Sequence, residues 1–202
     1  MDEQGKCIDQ AAGVAILLSK RMRRHIDKSV HVGSRIAWVR LRGPVCPIFF
    51  VTIYVPHKYR TETPITQDTL TQLDSLLKTV TKNDCVVVCG DFNCRLKRNI
   101  PGCTDRWCVT KHHEKFDHDQ DVLDLMRAQD LFAVDTKFNP KAKVWKSTQR
   151  KRQCNTTYLS NHTNRRPTKL DYFLVSIRWQ GMVANSERQQ MGSGDTQVWQ
   201  QI

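Results

Sequence analysis

Val86, Val87 and Val88, flanked by Cys85 and Cys89, form an apolar run with no polar alternation. Such a run is stable as a strand only where both faces of a sheet are covered, so this segment calls for a layered domain with an interior sheet. β-Branching fits the three valines to a pleated strand. The run breaks off into Gly90-Asp91-Phe92-Asn93. Glycine frees the backbone to turn. If the extended conformation persists beyond it, Asp91 and Asn93 point to one side while Phe92 anchors the other. A carboxylate beside an amide can orient water or a metal and stabilise an oxyanion. Gly, Asp and Asn are also ordinary turn formers, so the segment alone leaves a turn and a site equally open.

The rest of the chain supplies neighbours for that strand. Residues 36–41 and 48–55 read as strands joined by the turn text Arg42-Gly43-Pro44, a β-hairpin, and the apolar residues 13–18 read as a further buried strand. Leu70, Leu73, Leu76, Leu77 and Val80 recur at helical spacing behind the start signals Pro64, Thr66 and Asp68, which predicts a helix over 65–80. Val122, Leu125, Met126 and Gln129 predict a second helix over 119–130, with strands at 131–134 and 170–175, and the polar text of 94–118 reads as a long surface loop. Strands interleaved with two helices, without strict alternation, point to an α/β sandwich of mixed or mostly antiparallel sheets. A length of 202 residues suits a single domain, residues 1–202.

Lys and Arg number 32 against 20 Asp and Glu, a net charge of +12 that favours a polyanionic partner such as nucleic acid. Much of the excess lies between 137 and 169, where Lys141, Lys143, Lys146, Arg150, Lys151, Arg152, Arg165, Arg166 and Lys169 accompany Trp145 and Tyr158. Cations with interleaved aromatics can follow a phosphate backbone and stack on bases. A solvated charged face anchored by Trp145 is the alternative. No stretch reaches 18 consecutive apolar residues, so membrane insertion is not expected. Residues 11–18 do not read as a signal peptide, because acids precede the run and Lys20, Arg21, Arg23 and Arg24 follow it. Eight cysteines, several inside strand-like text, fit reduced thiols in an intracellular compartment. Cys103, Cys108, His112 and His113 offer four zinc-capable side chains. Adjacent histidines rarely address one ion, which favours a loop with incidental Cys and His.

Polar groups thus stand at three strand ends: Tyr54 before Pro56, Asp91 with Asn93, and Asp171 near the start of the last strand. In the text Tyr-Val-Pro at 54–56, Gly-Asp-Phe-Asn at 90–93 and Leu-Asp-Tyr-Phe-Leu-Val-Ser at 170–176, taken in order, the chain resembles the endonuclease/exonuclease/phosphatase superfamily. The stretch from Leu123-Asp124-Leu125-Met126 through Leu131-Phe132-Ala133-Val134-Asp135-Thr136 is similar to endonuclease domains of LINE-type (non-LTR) retrotransposons and the related craniofacial development protein 2-like proteins. The resemblance covers nearly the whole chain. It implies a four-layered α/β/β/α sandwich with two mixed, mostly antiparallel sheets, a site at one rim, and hydrolysis of phosphodiester bonds with Mg²⁺ or Mn²⁺. By the same resemblance Asp91 orients the attacking water, Asn93 lies beside the scissile phosphate, Tyr54 contacts that phosphate and Asp171 supports the site. Lys169 stands where the family has Arg, and Thr157, beside Tyr158, matches a Thr-aromatic element. With Trp145 these are the candidate substrate-binding residues. Hard oxygen ligands favour Mg²⁺ or Mn²⁺ over zinc.

The resemblance also implies motifs that the sequence does not supply. An Asn and a Gln-Glu pair, whose Glu is the principal metal ligand, belong upstream of Gly13, and Glu3 sits in no strand-like context. A closing Ser-Asp-His has no match, since Gly194-Asp195-Thr196 lacks the histidine. The expectation is a partial domain, truncated at both ends, with its metal ligand unknown and with little or no nuclease activity of its own. The leading reading is a DNA-directed, metal-dependent endonuclease of the nucleus. A catalytically dead nucleic-acid-binding module and a small-molecule phosphatase of the same fold remain as alternatives.

Overall fold

Six residues separate Leu41 from Ile48, too few for a crossover, and the two strands they join pair antiparallel. These are β2 (Ile36–Leu41) and β3 (Ile48–Tyr54), with Ile36 opposite Ile53 and Leu41 opposite Ile48. The computed structural model describes residues 13–56, 63–108, 119–138 and 169–184. The valine strand is β4 (Cys85–Asp91), and it runs parallel to β3, reached through helix α2 (Thr63–Lys78) as a parallel neighbour requires. β6 (Asp171–Ser176) lies antiparallel between β4 and the short β5 (Leu131–Ala133), and β1 (Ile26–Val32) closes the far edge beside β2. The result is one mixed six-stranded sheet in the order β1-β2-β3-β4-β6-β5, mostly antiparallel. The second sheet expected from the resemblance is not among the described residues.

One face of the sheet presents Phe49, Val51, Ile53, Val88, Tyr172 and Leu174 to helices α2 and α3 (Asp119–Ala128), whose Leu70, Leu73, Leu77, Val122 and Met126 complete the main core. The opposite face carries Cys85, Val87 and Val175, with Phe50, Phe132, Phe173 and Trp179 half-buried against them. The valine strand is therefore apolar on both sides, as its lack of alternation required. No helix of the described residues is long and apolar enough to cross a membrane.

Three expectations need correction. Residues 13–18 form no strand: they belong to no helix and pair with no strand of the sheet, and Leu17 is 85% exposed. They lead into a single helical turn, α1 (Lys20–Arg23), whose cap Ser19 accepts the Met22 N–H. β1 was not anticipated, because its five inner residues are all exposed and carry no apolar period. Backbone pairing to β2 holds it, together with Arg40, whose guanidinium reaches Asp27 on β1 at 2.6 Å and Asp84 before β4 at 2.8 Å. Finally, residues 94–108 are no surface loop. Cys94, Leu96, Cys103 and Cys108 are fully buried, because the loop satisfies its polar groups inside the protein. The Leu96 N–H donates to the buried Tyr172 hydroxyl at 3.1 Å, the Cys108 thiol to the Leu96 carbonyl at 2.9 Å, and the Ala133 N–H to the Cys103 carbonyl at 2.8 Å.

Candidate active site at the sheet end

Gly90 sits inside β4 rather than at a turn after it. Its φ is +147°, and a Cβ there would lie 1.9 Å from the Ile53 carbonyl oxygen of β3. Glycine is needed for this close approach of two backbones, and the strand then runs on to Asp91. Asp91 pairs with Tyr54 on one side and with Asp171 on the other. Directly opposed residues share a face of a sheet, so Tyr54, Asp91 and Asp171 stand in one row across β3, β4 and β6, each half-buried.

Two carboxyls abreast in a half-dry setting cannot both ionise without penalty. Burial, reinforced by the Asp171 charge, pushes the Asp91 carboxyl up to about 7, against the opposing pull of the Asn93 N–H that donates to it at 2.8 Å. Two residues back on the same face, burial pushes the Cys89 thiol up to about 12; a hydrogen bond with Thr52 opposes this and the Asp171 charge adds to it. That thiol is protonated and no nucleophile.

Asn93 does not continue the extended chain. Its φ of 46° is left-handed, its side chain is buried, and its Nδ2 donates to the Val55 carbonyl at 2.8 Å. It ties the end of β3 to the chain leaving β4 and, through its backbone, orients Asp91. Phe92, fully buried against the Tyr172 ring, is the anchor that the alternation predicted.

Lys169, expected to meet substrate, is turned inward instead. It is 1% exposed, pairs with the buried Asp135 and lies 5.4 Å from the centre of the Tyr172 ring. Desolvation of a lone lysine is expensive, so the carboxylate of Asp135 dictates its position. Trp145, Thr157 and most of the basic stretch lie outside the described residues, as do His112 and His113. Cys103 and Cys108 are buried in the apolar core, and among the described residues no three of His, Cys, Asp and Glu converge on a metal position.

Arg35 was missed. Its carbonyl accepts the Tyr54 N–H at 3.0 Å, which extends the row by one strand and brings a cation-bearing residue next to Tyr54. Counting back one position from the hairpin register would have found it.

The model of the Endonuclease/Exonuclease/phosphatase family matches residues 8–184. No curated protein matches the sequence. Among solved structures the chain is similar to the AP endonuclease LMAP from Leishmania major, with a TM-score of 0.51 at 16% identity over 82% of this chain and 53% of that one. It is also similar to the endonuclease domain of TRAS1, a telomere-specific non-LTR retrotransposon, with a TM-score of 0.52 at 12% identity over 82% of this chain and 62% of that one. An AP endonuclease from Archaeoglobus fulgidus aligns at 19% identity over 77% of this chain and 58% of that one, with a TM-score of 0.48. The chain spans between half and two thirds of the length of these structures, and at such identities what is shared is the fold. With the family model covering most of its length and an α/β sheet to match, the chain belongs to the endonuclease/exonuclease/phosphatase family.

Proposed function

We propose that the protein is a divalent-metal-dependent phosphodiesterase domain acting on DNA, of the retrotransposon endonuclease type. The observation that carries this reading is the register that sets Tyr54, Asp91 and Asp171 side by side at one end of the sheet. In-line attack on a phosphodiester needs an oriented water, an acceptor for its proton and donors for the phosphoryl oxygens. Asp91 is the acceptor: without metal, burial and the Asp171 charge hold its carboxyl near 7, and a cation bound beside it would lower that value and keep it ionised, ready to accept a proton from water. The Asn93 N–H fixes one Asp91 oxygen, leaving the other to meet water in a defined direction. The Tyr54 hydroxyl is a donor for a phosphoryl oxygen. In the metal-free protein burial and, after it, the Asp171 charge raise the proton affinity of Asp91. A hard cation, Mg²⁺ or Mn²⁺, fits two carboxylates that repel each other, and Asp171 would hold it. Bound there, it supplies charge neutralisation at the phosphate.

DNA is favoured over a small phosphoester by the net charge of +12 and by similar structures that are an AP endonuclease and a retrotransposon endonuclease domain. A DNA substrate points to the nucleus. With two carboxylates and no third metal donor converging on them among the described residues, these 202 residues alone should cleave slowly or not at all. Two measurements test the reading. Mn²⁺ titrated into the ¹⁵N-labelled chain should broaden amide resonances around Asp91 and Asp171, and broadening elsewhere only, unaltered in Asp91→Ala, defeats the metal assignment. Supercoiled plasmid with Mg²⁺ should be nicked weakly if at all. Vigorous cleavage lost in Asp91→Ala would refute the low activity and uphold the phosphodiesterase, while cleavage indifferent to Asp91→Ala would refute the site.

A further inference from the structure

Far from that row, at the opposite end of the sheet, four cations share one helical turn. Lys20, Arg21, Arg23 and Arg24 are all exposed, on α1 and its C-terminal cap. At 100° per residue they fall within an arc of about 160°, with Met22 on the other side. Like charges three and four apart, as in Lys20 with Arg23 and Arg24, oppose helix formation. Yet the turn is built firmly: Ser19 caps it, the His25 N–H donates to the Met22 carbonyl at 2.9 Å, and the Arg42 N–H donates to the His25 carbonyl at 2.8 Å, fastening it to β2. Among the described residues no carboxylate pairs with any of the four. The nearest acid along the chain, Asp27, is engaged by Arg40 at 2.6 Å and Arg42 at 3.6 Å. A one-sided cluster of cations, none of them paired with a carboxylate among the described residues, is a seat for an extended polyanion.

Ile26 lies opposite Leu41 and Ile48, whereas the carboxylates are level with Tyr54, six residues along β3. At strand rise the cluster is therefore about 20 Å from the row along the sheet, too far to touch the same phosphate. We infer that Lys20, Arg21, Arg23 and Arg24 form a second anchoring site for a nucleic-acid backbone, separate from the carboxylate row. A membrane surface fits less well, because a single turn with Met22 opposite the charges has no apolar face to insert. The inference shares with the proposed function a nucleic-acid partner, but it does not need hydrolysis.

Fluorescence anisotropy with a 20-base-pair duplex, over a series of NaCl concentrations in EDTA, tests it with the full chain. The variant Lys20→Gln/Arg21→Gln/Arg23→Gln/Arg24→Gln should lower the slope of log affinity against log salt by about 3 to 4, close to 0.9 per released phosphate contact. Its affinity at low salt should fall at least tenfold, with the melting temperature not lowered, because the four side chains are exposed and their mutual repulsion is removed. An unchanged slope overturns the inference. So does a variant that loses binding to vesicles containing phosphatidylserine while keeping its grip on the duplex. A duplex bound with the expected slope change by a chain that shows neither Mn²⁺ binding at the row nor cleavage would sink the phosphodiesterase reading and leave this one standing.

Discussion

Asp91 carries a liability that can be measured without any substrate. An aspartate whose carboxyl titrates near 7 in the folded chain and near 3.8 when unfolded stabilises the fold in its protonated form. That stability is fully present below about pH 4 and is lost as pH rises through about 7. Asp91→Asn keeps an acceptor for the Asn93 N–H and removes the titration. In metal-free buffer the variant should match the parent at pH 4 and exceed it at pH 8 by of the order of 2 kcal/mol, since solvent at a half-buried carboxyl screens part of the shift. Thermal melts across that range measure it, and a difference independent of pH would mean that Asp91 is neither desolvated nor repelled. Lys169 makes the contrary case. Lys169→Met leaves the buried Asp135 charge without its cation and should destabilise by about 3 to 5 kcal/mol, while Lys169→Met/Asp135→Leu should recover much of the loss in urea denaturation. Of these two residues only Asp91 was legible in the sequence. Its place at the tip of an apolar run is a local pattern, whereas Lys169 pairs with a residue 34 positions earlier, a distance across which no local pattern operates.

Between elements, the contact of β3 with β4 is the joint on which the site depends. Gly90→Ala would press a methyl group into the Ile53 carbonyl at a backbone conformation hostile to L side chains, and should destabilise by about 3 kcal/mol or more. Hydrogen exchange should show lost protection at Thr52–Tyr54 and Val88–Asp91 before the rest of the sheet; a variant within 1 kcal/mol of the parent would contradict the close approach. The strands with apolar sequences, β2, β3, β4 and β6, were all legible, because burial writes short apolar runs into the chain. So were α2 and α3. The hidden elements were those held by something other than burial. β1 rests on its ladder to β2 and on the Arg40 bridge to Asp27 and Asp84, so its exposed residues read as loop. The apolar residues 13–18 misled in the opposite direction, since an apolar run without a partner strand does not make a strand. The 94–108 loop misled because its buried backbone is paired by long-range partners such as Tyr172 and Thr136.

In the whole molecule, one sheet brings together residues drawn from three distant parts of the chain. The candidate site could be proposed from a set of motifs; that the motifs lie in a single row, with Arg35 beside Tyr54 and Lys169 turned away from it, followed only from strand order. Strand order also has a temporal meaning. β3 and β4 are neighbours joined by one helix, so Tyr54 and Asp91 can meet early, as a chain emerging from its N-terminus folds its nearer contacts first. β6 must then insert between β4 and β5, so the last of the three to arrive is Asp171, in the interior of the sheet. Until it does, Asp91 has no neighbouring charge from Asp171 and β4 has an open edge. An unfinished chain would thus hold Asp91 without its partner carboxylate, and the row of Tyr54, Asp91 and Asp171 is completed only once synthesis has passed residue 176 and the sheet has closed.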